Sequence, residues 1–203
     1  IQHIILLSKY FPGAKFIHIY RDGRDVVQSF HRRWKRYPPL SILRWKKIVK
    51  KGRFDGRKIG KERYIEIRYE DFTSNPEKWL KTICLFLDLK YYNQMCYAPW
   101  RQIDPKINNG SIVKNSGKWK TYFSDKQILG LERIAGKYLL ELGYVDVSMS
   151  GSYNPNRIKL YLWKYPDYLK FLINFFKKKG FIPDKFLFKW IKSGLRQNKT
   201  NKI

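Results

Sequence analysis

The stretch of sequence that decides the fold is FPGAKFIHIYRDGRDVVQSF, residues 11–30. Within it, residues 15–20 (KFIHIY) form a short apolar run rich in β-forming side chains, which predicts a buried strand. A tight turn follows at residues 22–24 (DGR), and residues 25–34 are typical of a helix. The order of strand, turn and helix predicts a ligand site, because open α/β sheets bind ligands at the carboxyl ends of their strands.

The chemistry of this turn suits an anion. Arg21 ends the strand, and its guanidinium presents a fixed fork of donors that matches phosphate oxygens. The helix that follows offers free N–H groups and the positive end of its dipole. Ser29 lies about two helical turns along, where its hydroxyl can face the same ligand. The alternative is a solvated turn in which Arg21 and Arg24 pair with the two neighbouring aspartates, and the chemistry alone supports both interpretations equally.

The rest of the chain completes an α/β pattern. Residues 64–69 (YIEIRY) alternate like a second strand, and residues 124–142 predict a helix that begins with a capping box and ends at Gly143. Between the strands, residues 31–63 hold fourteen Lys and Arg and two acids, and we expect a surface excursion with some helix at residues 41–51. Strands separated by helices favour parallel pairing.

Composition limits the class of protein. The 203 residues are 43% hydrophobic, which excludes disorder throughout the chain. Forty-three Lys and Arg against sixteen Asp and Glu give a net charge of +27, a field that attracts anions of any kind. The two cysteines exclude a disulfide framework, and neither belongs to a cluster with metal-ligand spacing, so no metal is expected.

Three segments carry a family resemblance. The strand, the RDGRDV turn and Ser29 resemble the 3′-phosphate-binding segment of sulfotransferases that use 3′-phosphoadenosine-5′-phosphosulfate (PAPS). In that family the first Arg and the later Ser hold the 3′-phosphate, which implies this role for Arg21 and Ser29. Residues 67–72 (IRYEDF) resemble the family's second strand end, whose tyrosine lies near the adenine, and this role falls on Tyr69. A core aromatic at a strand end is an equally supported alternative for Tyr69.

The third segment, residues 111–120 (SIVKNSGKWK), is similar to the family's late loop, which closes over the 3′-phosphate before a Gly-x-Trp. The alternative is an ordinary basic loop. The family often has Arg at position 118. The resemblance implies donor-binding roles for five residues of this loop: Lys114, Asn115, Ser116, Gly117 and Lys118.

The resemblance implies a P-loop-like α/β fold, with a partial three-layer parallel sheet and flanking helices. Residues 1–150 are then the C-terminal part of a sulfotransferase domain, and residues 151–203 a basic, aromatic, helical extension. The implied activity transfers a sulfuryl group from PAPS to a hydroxyl or amine acceptor. The family's 5′-phosphosulfate loop is not found in the sequence, so we expect this chain to begin partway through a longer protein and to be inactive alone. The catalytic base is unassigned, since His3, His18 and His31 have no predicted partner.

The second hypothesis is a non-enzymatic domain that binds RNA, glycosaminoglycan or anionic lipid. The charge fits this hypothesis, but the three ordered segments do not, and nucleic acid is not an expected partner of a sulfotransferase. Residues 151–203 are predicted to be amphipathic and to pack on the core, with peripheral membrane contact as the alternative. The compartment is undetermined, with the cytoplasm slightly favoured over the Golgi lumen.

Overall fold

A parallel pair of strands lies at the centre of the computed structural model, which describes residues 3–96, 115–144 and 146–178. Strand β1 (Phe16–Tyr20) pairs with β2 (Tyr64–Arg68) in register, from Phe16 opposite Tyr64 to Tyr20 opposite Arg68. The predicted parallel pairing is therefore confirmed, and it agrees with the α/β class. The three-layer arrangement and the P-loop-like character stay predictions.

Helices surround this pair. The structure contains eight described α-helices and one 3₁₀ turn (Asn93–Cys96): α1 (Ile4–Tyr10), α2 (Gly23–Trp34), α3 (Pro38–Lys58), α4 (Tyr69–Ser74), α5 (Pro76–Leu87), α6 (Trp119–Tyr122), α7 (Asp125–Glu141) and α8 (Arg157–Lys178). Within the described part of the chain, no helix combines the length and the apolar character needed to cross a bilayer.

The expectation of a surface excursion at residues 31–63 is wrong. Most of this stretch is α3, which contacts both strands and also packs against α1, α2 and α7. Ile42, Trp45 and Val49 recur at helical spacing and are buried, so a narrow apolar stripe suffices to place a lysine-rich helix in the core. Even Lys46 is accommodated, because its Nζ donates to the carbonyl oxygen of Ile134 at 2.8 Å. Burial lowers the pKa of Lys46.

The helix ends follow local chemistry with one correction. Ser124 and Gln127 form the predicted capping box at the start of α7, and Gly143 follows the end of that helix with a φ of +80°, which favours glycine. At α5, the sequence Ser74-Asn75-Pro76-Glu77 has the spacing of a capping box that begins at Ser74, but the capping residue in the structure is Asn75. The side chain of Asn75 accepts a hydrogen bond from the N–H of Lys78 at 3.2 Å, since Ser74 still belongs to α4.

The main core lies between α2, α3 and α7. It contains buried apolar side chains from these helices and from the residues around them: Val27, Ile42, Leu43, Trp45, Val49, Trp119, Phe123, Leu131, Ile134, Ala135, Tyr138, Leu139, Leu142 and Tyr144. This packing fixes the start of α2, and with it the turn after β1.

A histidine is buried under the sheet. His18 on β1 is 2% exposed, and its Nδ1 lies 2.6 Å from the hydroxyl of Tyr64 on β2. The Tyr64 hydroxyl donates in turn to Glu66, which pairs with Arg53 of α3 at 2.8 Å. Burial lowers the pKa of His18 to about 4, and the charge of Arg53 adds to this effect while Glu66 opposes it. His18 is therefore neutral at pH 7.

This depressed pKa makes stability depend on pH. The unfolded chain takes up a proton near pH 6.5 and the folded chain only near pH 4, so stability falls as the pH is lowered between these values. We expect the free energy of unfolding to drop by about 2 kcal/mol between pH 7 and pH 5, measured by urea denaturation. In a His18→Gln variant, the free energy of unfolding should fall by less than half of this amount over the same pH interval. If the free energy of unfolding falls equally in both proteins, the pH dependence does not come from His18.

Candidate functional site

Three separate segments meet at the carboxyl edge of the strand pair. Arg21 leaves β1 and Tyr69 leaves β2, so the parallel register places them side by side. The Cζ atom of Arg21 lies 4.6 Å from the ring centre of Tyr69, a cation–π contact. Nη2 of Arg21 also donates a hydrogen bond to the carbonyl oxygen of Asn115 and lies 3.6 Å from a carboxylate oxygen of Asp25. The structure thus brings Arg21, Tyr69 and the late loop together.

Asp25 holds the late loop in place. Its carboxylate accepts hydrogen bonds from the backbone N–H of Gly117 at 2.7 Å and of Trp119 at 3.2 Å. Gly117 has a φ of +82°, a conformation that only glycine adopts easily. The sequence indicates Asp25 as the start of a helix and as a partner of an arginine but not as an acceptor for the late loop, because a contact across 92 residues leaves no local signal.

Arg24 shows that the turn is buried rather than solvated, although both pairings of that alternative, Arg24 with Asp22 and Arg21 with Asp25, are present. Arg24 is 1% exposed, and its guanidinium forms ion pairs of 2.8 Å with both Asp22 and Glu132. Its Cζ lies 3.8 Å from the ring centre of Trp119. Burial alone would lower the pKa of Arg24, but the hydrogen bonds to the two carboxylates outweigh burial and raise it. Arg24 is therefore a permanently charged internal support, and only Arg21 faces the candidate site.

The start of α2 is already capped. The side chain of Asp22 accepts from the N–H of Arg24 at 2.8 Å, and Glu70 accepts from the N–H of Asp22 at 3.0 Å. The expectation of free N–H groups is therefore wrong for these two amides. An anion at this edge relies on the arginine side chain and the late loop more than on the helix end.

The other predicted site residues have varied positions. Ser29 lies exposed in the second turn of α2. Ser116 is half-buried beside Gly117, whereas Lys118 is exposed at the start of α6, where its carbonyl accepts from the hydroxyl of Thr121. Lys114 lies outside the described residues.

A cavity of about 450 Å³ adjoins the turn, on the side of Arg24. Its lining includes five carboxylates and three cations: Asp22, Asp25, Glu70, Asp71, Asp146, Arg24, Arg68 and Lys120. Several of these carboxylates already have partners, since Glu70 accepts from the hydroxyl of Tyr144 and Asp146 pairs with Lys120. The excess of negative charge makes this cavity unsuited to a phosphate.

Each histidine lies outside the turn after β1. His18 is buried against Tyr64, the Nδ1 of His31 lies 2.8 Å from the hydroxyl of Tyr122, and His3 is exposed next to α1. Within residues 3–96, 115–144 and 146–178, no three His, Cys, Asp or Glu side chains form a group that could hold a metal ion.

Known proteins resemble parts of this chain. Residues 1–93 match the model of the sulfotransferase family. A protein-tyrosine sulfotransferase of Drosophila melanogaster is 31% identical over 88 residues, which cover 40% of this chain and 18% of the relative. The "Putative protein-tyrosine sulfotransferase" of Caenorhabditis briggsae is 26% identical over 168 residues, 73% of this chain and 59% of the relative. Protein-tyrosine sulfotransferase 1 of Danio rerio is 26% identical over 126 residues, 58% of this chain and 32% of the relative. The chain thus spans less than two thirds of the length of each.

The turn after β1 requires a glycine because of packing. A Cβ atom on Gly23 would lie 2.5 Å from the ring of Trp45, whose Nε1–H donates to the carbonyl oxygen of Arg21 at 3.1 Å. We expect Gly23→Ala to lower the free energy of unfolding by about 1–3 kcal/mol, because α3 cannot yield without strain. The control is Gly130→Ala in α7, where a Cβ meets nothing within 4 Å and should stabilise by about 0.5–1 kcal/mol. Equal effects in urea denaturation would show that the contact with Trp45 is unimportant.

The two hydrogen bonds from the late loop to Asp25 give a second test. An Asp25→Asn side chain has one acceptor oxygen, so one of the two loop N–H groups loses its partner. We expect a loss of about 1–3 kcal/mol in stability and faster hydrogen exchange at Gly117 and Trp119. Asp125→Asn, an exposed aspartate at the start of α7, is the matched control and should leave both exchange rates unchanged. Unchanged exchange in the Asp25 variant would exclude this role.

Proposed function

We propose that this chain, a member of the sulfotransferase family, binds the 3′-phosphoadenosine end of PAPS within an enzyme that transfers the sulfuryl group to an acceptor. The observation that carries the proposal is the meeting of Arg21, Tyr69 and the late loop at the carboxyl edge of two parallel strands. Parallel α/β sheets bind ligands at this edge. In the family, the same three segments serve the 3′-phosphate and the adenine.

Arg21 is suited to hold the 3′-phosphate. Its Nη2 is oriented by Asn115 and Asp25, while its Nε–H is buried and has no hydrogen-bond partner among the described residues. A buried donor without a partner destabilises a protein by about 1–3 kcal/mol, and a phosphate oxygen supplies the acceptor that this donor lacks. Arg–phosphate hydrogen bonds are charge-assisted and directional, so they would also fix the orientation of the nucleotide.

Tyr69 and the late loop complete the proposed donor site. The half-buried ring of Tyr69 offers a flat face on which adenine can stack, since every base has a π-face. Gly117, Ser116 and Asn115 bring backbone close to Arg21 and exclude bulky side chains there. Ser29, Lys114 and Lys118 would add a hydroxyl and two charges, as the family resemblance implies.

These residues act through binding and orientation. In sulfuryl transfer the acceptor oxygen or nitrogen forms a bond to sulfur while the bond from sulfur to the 5′-phosphate oxygen breaks, leaving adenosine 3′,5′-bisphosphate. A base removes the acceptor proton, and cationic donors stabilise the charge on the leaving phosphate. By fixing the 3′ end, this chain would hold the reacting sulfur in line with the acceptor.

The relatives also suggest an acceptor. The three relatives described above all have protein-tyrosine sulfotransferase in their names, which favours a phenolic hydroxyl over an amine as the acceptor. Assaying the complete enzyme with PAPS and a tyrosine-containing peptide should give sulfated peptide. The same peptide with Phe in place of Tyr should give none, and preferential sulfation of a lysine amine would contradict this part of the proposal.

Binding of adenosine 3′,5′-bisphosphate tests the donor site directly. We expect calorimetry to show binding at least about tenfold tighter than for 5′-AMP, which lacks the 3′-phosphate. Arg21→Ala should abolish this preference, with a loss of about 10- to 100-fold for the bisphosphate and little change for 5′-AMP. Arg57→Ala, a largely exposed arginine at the end of α3, is the matched control and should bind as the wild type does.

The same experiment separates the enzyme from the polyanion binder. If heparin or polyuridylate binds tightly while the bisphosphate and 5′-AMP bind equally weakly, the non-enzymatic hypothesis is favoured and the donor site is rejected. If Arg21→Ala and Arg57→Ala weaken the binding of every anion by the same factor, the effect comes from net charge, and Arg21 has no specific role.

A further inference from the structure

Among the described side chains, helix α8 contacts the core through the face that carries Trp163 and Asp167. On that face, Asp167 is buried, and its Oδ2 lies 3.2 Å from Nη1 of Arg36 and 3.6 Å from Nη1 of Arg44. The other oxygen of Asp167 accepts from the N–H of Tyr37, just before α3. The ring of Trp163 lies one turn earlier and contacts the ring of Tyr37, with 5.6 Å between centres. These contacts fix which side of α8 points outward.

The outward side of α8 is apolar. A helix turns by about 100° per residue, so residues four and seven positions apart share a face. Opposite Trp163 and Asp167 lie five large side chains with exposed fractions between 58% and 72%: Ile158, Tyr161, Leu162, Tyr165 and Tyr168. Phe176 continues this face, with 37% exposed. Besides the face that contacts the core, α8 therefore has a second apolar face, whose five named side chains are exposed to solvent.

Positive charge borders this outward face. Lys159 and Lys164 are exposed and lie on its two sides, as expected from their helical positions. Asp167 is the only acid in the sequence of α8, and its charge is offset by two arginines inside the interface. Residues 151–203 carry thirteen Lys and Arg and two Asp. The occupant of the outward face is therefore expected to be apolar at its centre and anionic at its edges.

We propose that α8 docks the protein on an anionic lipid surface. Its tyrosines, together with Ile158 and Leu162, enter the boundary between headgroups and acyl chains, while Lys159 and Lys164 contact lipid phosphates. Tyrosine suits this depth because its ring is apolar and its hydroxyl is polar. Pro166 lacks an N–H and leaves a backbone carbonyl without its helical partner, which favours the hydrated interface over the bilayer interior.

Charge decides between lipid and a second copy of the chain. Dimerisation through this face would bring two proteins of net charge +27 together, with the bordering lysines of both copies in the same interface. An anionic bilayer instead neutralises these lysines. The proposal does not depend on the donor site, which lies at the start of α2, whereas α8 contacts Arg36 and Tyr37, just after the end of α2.

Vesicle co-sedimentation of the full-length protein tests the proposal. The vesicles contain phosphatidylcholine alone or with 30% phosphatidylglycerol, at 0.1 M and 0.5 M salt. We expect binding to the anionic vesicles that weakens strongly at high salt, since lipid–lysine attraction is screened. The variant Ile158→Ser/Leu162→Ser/Tyr165→Ser should bind about tenfold or more weakly. Its control is Phe54→Ser/Leu85→Ser, which removes exposed apolar side chains of α3 and α5 and should bind normally.

A charge-reversal pair provides the second arm. Lys159→Glu/Lys164→Glu should weaken binding to anionic vesicles by about tenfold or more, whereas Lys126→Glu/Lys137→Glu, exposed on α7, changes net charge equally but should have a much smaller effect. Thermal denaturation of each variant confirms that it folds. The proposal is overturned if the wild type does not sediment with anionic vesicles, if it binds neutral vesicles equally, or if the α8 variants bind as well as their controls. A dimer that the α8 variants dissociate, without lipid binding, would assign the face to a second copy.

Discussion

The guanidinium of Arg24 joins parts of the chain that are far apart in sequence. It pairs with Asp22 in the turn after β1 and with Glu132 in the middle of α7, and it stacks on Trp119 at the start of α6. It also donates to the backbone carbonyl of Asp146, beyond the end of α7. Buried ion pairs add little net stability, but losing one partner leaves an uncompensated charge inside the protein. The loss of one of these partners is therefore expected to disrupt the whole turn.

This arrangement divides two arginines of one short motif between two tasks. Arg24 points into the protein and organises the turn, so Arg21 is left on the opposite side, at the open edge of the strand pair. Asp25 then connects the turn to the late loop through two backbone amides. The aspartates that the sequence suggested as partners in a solvated turn do pair with these arginines, Asp22 with Arg24 and Asp25 with Arg21, but both aspartates are buried.

The sequence predicted the features that depend on neighbours along the chain. Both strands, the helix after the RDGRDV turn, the capping box at Ser124 and the glycine after α7 follow from local spacing. Helix α3 was misjudged because its lysines and arginines, whose long stems reach solvent or a carbonyl, concealed a narrow apolar stripe. Of the candidate site, the resemblance implied that Asn115 and Arg21 are neighbours, and the structure places them in contact. The roles of Asp25 and Trp45 could not be predicted, because both depend on tertiary contacts, and the binding roles remain predictions.

The separations in sequence within this edge have a consequence for folding. The contacts of Arg21 with Asn115, of Asp25 with Gly117 and of Arg24 with Glu132 span 94, 92 and 108 residues. Contacts between residues so far apart in sequence close large loops, and the chain loses conformational entropy when these loops close. The edge is therefore absent from partly folded chains, and an anion bound there selects the native state alone. At one hundred times its dissociation constant, such a ligand stabilises the protein by about 2.7 kcal/mol. Ligand-induced thermal shifts can thus measure how much of a preparation is completely folded.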